Sequence, residues 1–145
     1  MKNFKKYFYI LPFFMLATNF VYAAKENSLA ESIFSNDYIF TILLIVAIVG
    51  AVLEILTPGF GLGGIISIAA FAIFFWGNIY MGNTNWFEIL LFVLGLLLLA
   101  FEIMIPGFGV AGISGILAIS AAIVLSMKDI YFAIFSLAIA LVIAI

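Results

Sequence analysis

The chain has 145 residues, of which 68% are hydrophobic and only 8% charged, whereas a soluble domain carries about 25% charged residues, so it reads as an integral membrane protein. Its net charge is -2, and three of its five Lys/Arg lie in the first six residues. No basic patch remains to neutralise a phosphate backbone, which excludes nucleic acid as a partner of this segment.

Lys2, Lys5 and Lys6 precede the apolar stretch YFYILPFFMLATNFV, and Val21-Tyr22-Ala23 brings small residues to a cleavage spacing, so residues 1–23 read as a signal peptide. Retained as an anchor, the same lysines would stay in the cytoplasm. Either outcome places Ala24 outside. Residues 24–37, AKENSLAESIFSND, are too few to build a core and read as an extracytoplasmic tether.

From 38 to 145 the chain reads as one all-α, polytopic helical membrane domain of four to five spans. Crossing about 30 Å of hydrocarbon takes roughly 20 residues, and the apolar runs 38–56, 60–81, 86–105 and 108–127 are of that order. A fifth run, 130–145, is still apolar where the sequence stops and reads as a truncated span. Alternation from an outside start puts the turns after the first and third spans in the cytoplasm of a bacterial cell membrane. Tyr38, Trp76, Tyr80, Trp86 and Tyr131 then all fall near the outer interface, where amphipathic rings prefer to sit.

Offset by 48 residues, LEILTPGFGLGGI (residues 53–65) lies on FEIMIPGFGVAGI (residues 101–113), with Glu, Ile, Pro, Gly, Phe, Gly, Gly and Ile identical. The two hairpins, 38–81 and 86–127, form a parallel internal repeat, unlike the inverted repeats of many transporters. Pro58 and Pro106 lack the N–H that would continue each helix, and they push Thr57 and Ile105 out of the α region. Gly59, Gly61, Gly107 and Gly109 permit a tight reversal, so PGFG is an elbow, with Phe60 or Phe108 free to tuck back into lipid or the bundle.

After each elbow, Gly63-xxx-Ser67 aligns with Ala111-xxx-Gly115, and Ser114, Ala118 and Ala122 extend the small face of the second copy. Small residues four apart let helix backbones approach closely, so these helices are expected to be the inner members of the bundle. The same faces also suit contact between copies in a homo-oligomer.

Glu54 and Glu102 stand one turn before each proline, near the interface, where a charge costs less than the roughly 2.5–3.5 kcal/mol of the bilayer centre. One reading makes them acceptors for unpaired N–H groups at the start of the next helix. The other makes them a proton or cation site of a small transporter or channel subunit. No intramembrane Lys, Arg, His or Asn is read as a relay partner in the four spans. Glu88, which has no counterpart in the first copy, reads as an interface residue at the start of its helix. The chain contains no Cys and no His. Disulfides, thiolate or imidazole metal sites and the commonest general base are excluded, and no catalytic residue, cofactor or metal site is predicted.

Paired E-x-x-x-PGFG-x-x-G elbows behind a signal peptide resemble the NfeD family of bacterial and archaeal membrane proteins, over residues 38–145. The resemblance implies a non-catalytic membrane scaffold or anchor working with stomatin- or flotillin-like SPFH proteins, surrounded by membrane lipid. It also implies a small cytoplasmic OB-fold domain after the membrane region, which is absent from these 145 residues. Long relatives carry a ClpP-like serine protease domain between signal and membrane part, which keeps a membrane fragment of such a protease as a further alternative. Fourteen residues, 24–37, cannot hold that domain, and Ser28 with Lys25 reads as plain tether.

Overall fold

The computed structural model describes residues 28–57, 61–105 and 109–145. The chain divides into two compact units, Met1–Ser35 and Asn36–Ile145. In the first, the described residues form a two-turn helix, α1 (Ser28–Phe34), on a stretch expected to be tether. Its sequence, Ser28-Leu-Ala-Glu31, follows the S-x-x-E pattern of a helix start.

The second unit contains α2 (Asp37–Leu56), α3 (Leu62–Tyr80), α4 (Trp86–Met104), α5 (Val110–Ser126) and α6 (Ile130–Ala144), with no strand among the described residues. Polar side chains set the ends of these apolar rods. Asn36 Oδ1 accepts the Tyr38 N–H at 3.0 Å to start α2, and Asp129 accepts the Phe132 N–H at 2.9 Å to start α6. α4 opens on a capping box in which Glu88 accepts the Asn85 N–H at 2.8 Å. At the end of α3, Gly82 takes φ 76° and the Asn83 N–H reaches back to the Asn78 carbonyl at 2.8 Å, a Schellman closure.

Among the described residues three helices, α2, α3 and α4, are long and apolar enough to cross a membrane. α5 and α6 are apolar but have 17 and 15 residues, about 26 and 22 Å at 1.5 Å per residue, less than the roughly 30 Å of hydrocarbon. The run at 108–127 yields a helix shorter than the apolar sequence itself because the elbow takes its first residues, whereas α6 fills its run from Ile130 to Ala144.

α2 packs on α3 and α4 on α5 as two antiparallel hairpins, and α6 packs against both α2 and α5. Of the helices expected to be inner, α3 buries Ser67, Ala70, Phe74, Phe75, Gly77 and Asn78, and α5 buries Gly115, Ala122, Ile123 and Ser126. The run read as a truncated fifth span sits between the hairpins, with Ala133, Ser136 and Ala140 fully buried along one face. Small residues at those three positions let it approach two neighbours at once. Thr41 on α2 and Ser136 on α6 share a hydrogen bond of 2.7 Å. Phe71 and Phe75 of α3 each place their ring centroids 4.8 Å from Phe92 of α4, which joins the hairpins on the other side.

Candidate functional site: the two elbows and their glycine seams

Each elbow is approached and left in the same conformation. Thr57 (φ −125°, ψ 64°) and Ile105 (φ −129°, ψ 82°) both leave the α region, as a following proline demands. On the far side, Gly61 (φ 68°) and Gly109 (φ 76°) are left-handed, where a side chain would be strained. Pro58, Gly59, Phe60, Pro106, Gly107 and Phe108 lie outside the described residues.

The glutamates span the reversal. Glu54 Oε1 accepts the Gly61 N–H at 3.2 Å and its Oε2 accepts the Gly64 N–H at 3.2 Å. In the second hairpin, Glu102 Oε1 accepts the Gly109 N–H, also at 3.2 Å. Both carboxylates are half-buried. Their stems lie over glycine: a Cβ on Gly64 would sit 3.4 Å from Glu54 Cγ, and one on Gly112 would sit 3.2 Å from Glu102 Cγ. A carboxylate tied to the first amides of the next helix accepts donors that have no intrahelical partner and sits at the positive end of the helix dipole.

Behind each elbow runs a seam of backbone contact. A Cβ on Gly63 would lie 2.6 Å from the Gly50 carbonyl oxygen, and one on Gly50 would lie 2.9 Å from that of Gly63 and 3.2 Å from the Ser67 nitrogen. In the second hairpin the reciprocal pair is Gly95 and Gly115, each with its Cβ position 2.8 Å from the other's carbonyl oxygen. Ser67 is buried, whereas Ala111, aligned with Gly63, is half-buried, and the closest approach falls one turn further on at Gly115. Ser114 is exposed and Ala118 half-buried, so the buried small face of α5 runs through Gly115 and Ala122.

Residues 38–145 match the family model described as the NfeD integral membrane domain. The chain belongs to the NfeD family. It is similar to the membrane protein NfeD1b of Bacillus subtilis (strain 168), 36% identical over 59 residues that make up 41% of this chain and 14% of that protein. The match therefore covers about a seventh of the relative's length. No solved structure matches the chain.

Several positions that shape this NfeD domain escaped the sequence reading. Gly50 and Gly95, the partners of Gly63 and Gly115, carried a signal in being isolated glycines within apolar helices, which mark close approach. Asn78 lies inside the run 60–81 and is fully buried. Its Nδ2 donates to the Phe74 carbonyl at 3.0 Å, while its own carbonyl accepts the N–H groups of Asn83 and Thr84. Thr84 in turn donates to the Ser126 carbonyl at 3.0 Å. This polar knot joins the α3–α4 turn to the end of α5 and uses a carboxamide as structure.

Proposed function

We propose that this NfeD-family chain is a non-catalytic membrane scaffold or anchor, a short NfeD-type partner of an SPFH (stomatin- or flotillin-like) membrane assembly. The supporting observation is that Glu54 and Glu102, the carboxylates in the last turns of α2 and α4, are engaged with the backbone amides of their own elbows. Groups committed to shape are poorly placed to carry a proton or cation through the bilayer.

In this reading 1–23 is the signal, 24–37 lies outside, and the elbows face the cytoplasm, where a partner would meet them. Two hairpins, 38–81 and 86–127, repeat in parallel, and α5 and α6 complete four to five spans by local thinning of the bilayer or by association with a second copy. Membrane lipid surrounds the whole, and the exposed small residue Ser114 offers α5 a contact in a homo-oligomer.

Affinity-tagged chain, solubilised from its native membrane, should retain a stomatin- or flotillin-like protein, and the same chain in proteoliposomes should pass neither protons nor monovalent cations. Flux that disappears when Glu54 and Glu102 both become Gln, without loss of fold, would replace the scaffold by the small-transporter reading.

A further inference from the structure

α2, α3 and α6 enclose a groove of about 600 Å³ at the elbow end of the domain, within the range of roughly 300–1,000 Å³ typical of ligand sites. Val46, Val49 and Leu53 of α2, Leu62 and Ile66 of α3, and Ile143 of α6 line it, with Glu54 as its one ionisable residue. Leu53 and Ile66 are about half exposed (51% and 50%). The wall is therefore open to the acyl region of a bilayer.

Charge decides what fits. Each oxygen of Glu54 accepts one long N–H bond, whereas a carboxylate offers about four lone-pair sites. Among the described residues the one cation is Lys128, in the loop between α5 and α6, at the opposite end of the helices from Glu54. The groove thus presents an anion with unused acceptor capacity at its interfacial end and hydrocarbon along its length. An ammonium group on an acyl lipid complements both.

We infer that this groove binds a phospholipid with a primary-amine headgroup, its ammonium donating to Glu54 and an acyl chain lying along Val46, Val49 and Ile66. The inference does not depend on the scaffold role, since a transporter or an anchor could carry the same lipid. A quaternary ammonium has no N–H to donate, and an anionic headgroup is repelled by the carboxylate. Headgroup selectivity is accordingly the signature.

The test uses the purified full-length chain in detergent, titrated with phosphatidylethanolamine, phosphatidylcholine and phosphatidylglycerol of matched acyl chains, with bound lipid counted by native mass spectrometry. The amine lipid should bind about fivefold more tightly than the other two, the factor one partly shielded ion pair supplies. Glu54→Gln should abolish the preference and Glu102→Gln should keep it. Ile66→Trp and Leu53→Trp, which fill the groove from its exposed wall, should reduce binding of all three lipids, and they decide the matter even if Glu54→Gln loses helicity.

Equal affinity for the three lipids would overturn the site, as would a preference that survives Glu54→Gln or full binding by both Trp variants. Displacement by tail-free glycerophosphoethanolamine at the lipid's own concentration would assign recognition to the head alone and reject the groove. Displacement by tetralysine at that concentration would instead make the carboxylate a contact for a basic protein segment.

Discussion

Gly50 and Gly63 bring the backbones of α2 and α3 together so closely that a Cβ on Gly63 would lie 2.6 Å from the Gly50 carbonyl oxygen. In lipid no hydrophobic drive holds two helices together, and such van der Waals and polar contact replaces it. Gly63→Leu and Gly115→Leu should each destabilise the domain by about 1–3 kcal/mol, the usual cost of overpacking. Thermal unfolding in detergent reads this, and wild-type stability in both variants would show that the seams are not what holds the hairpins.

At Gly61 and Gly109 the space is open, with nothing within 4 Å of an added Cβ, but φ is 68° and 76°. Any loss on substitution there is conformational, about 1–2 kcal/mol for a left-handed L-residue. Ala at either position should lower the melting temperature more than Asn, which tolerates that region. Equal effects of Ala and Asn would indicate that the elbow relaxes to another conformation.

Helix ends were legible because polar or imino residues punctuate the sequence. Asp37, Trp86 and Ile130 begin helices within one residue of the expected boundaries, and α2 and α4 stop two residues short of Pro58 and Pro106. Glu54 and Glu102 stood out for the same reason, as charges in an apolar field. Lateral arrangement was far less legible. In a bilayer buried and lipid-facing surfaces are both apolar, so Leu44, fully buried, and Leu97, 63% exposed, look alike in sequence. Only small residues mark an inner face. With 12 glycines in the chain, that signal did not separate Gly95–Gly115 from the aligned but looser Ala111, nor reveal that α6 packs against both hairpins.

The docking of α6 supplies the next test. Ser136 is fully buried and shares its hydroxyl with Thr41 across 2.7 Å, and such bonds between membrane helices average about 0.6 kcal/mol. A double-mutant cycle of Thr41→Val and Ser136→Ala should return a coupling energy near that value. Ser136→Leu should do far more harm, because no room exists for the extra carbons between α6 and α2. A Leu variant as stable as wild type would mean that α6 packs elsewhere in the membrane.

Topology is testable without background, since the chain has no cysteine. Lys128 and Thr57 are both exposed, in the α5–α6 loop and at the elbow end of α2 respectively. In intact cells, Lys128→Cys should react with a membrane-impermeant maleimide and Thr57→Cys should react only after permeabilisation. The reverse pattern would invert the domain in the membrane.

Gln and Ala substitutions at the elbow glutamates separate shape from conduction. Glu54 offers one oxygen to Gly61 and the other to Gly64; a Gln has a single acceptor oxygen and would keep only one of these bonds, while Ala keeps neither. Each buried N–H left unpaired costs about 1–3 kcal/mol, so stability should fall in the order wild type, Glu54→Gln, Glu54→Ala. At Glu102, Oε1 accepts the Gly109 N–H, a bond that a Gln amide oxygen can still accept and Ala cannot, so Glu102→Gln should melt above Glu102→Ala. Melting curves of the four single variants in one detergent provide the ranking. Ala variants that melt with wild type would remove the glutamates from the elbow's support, and the carboxylates would then need another reason to stand one turn before each proline.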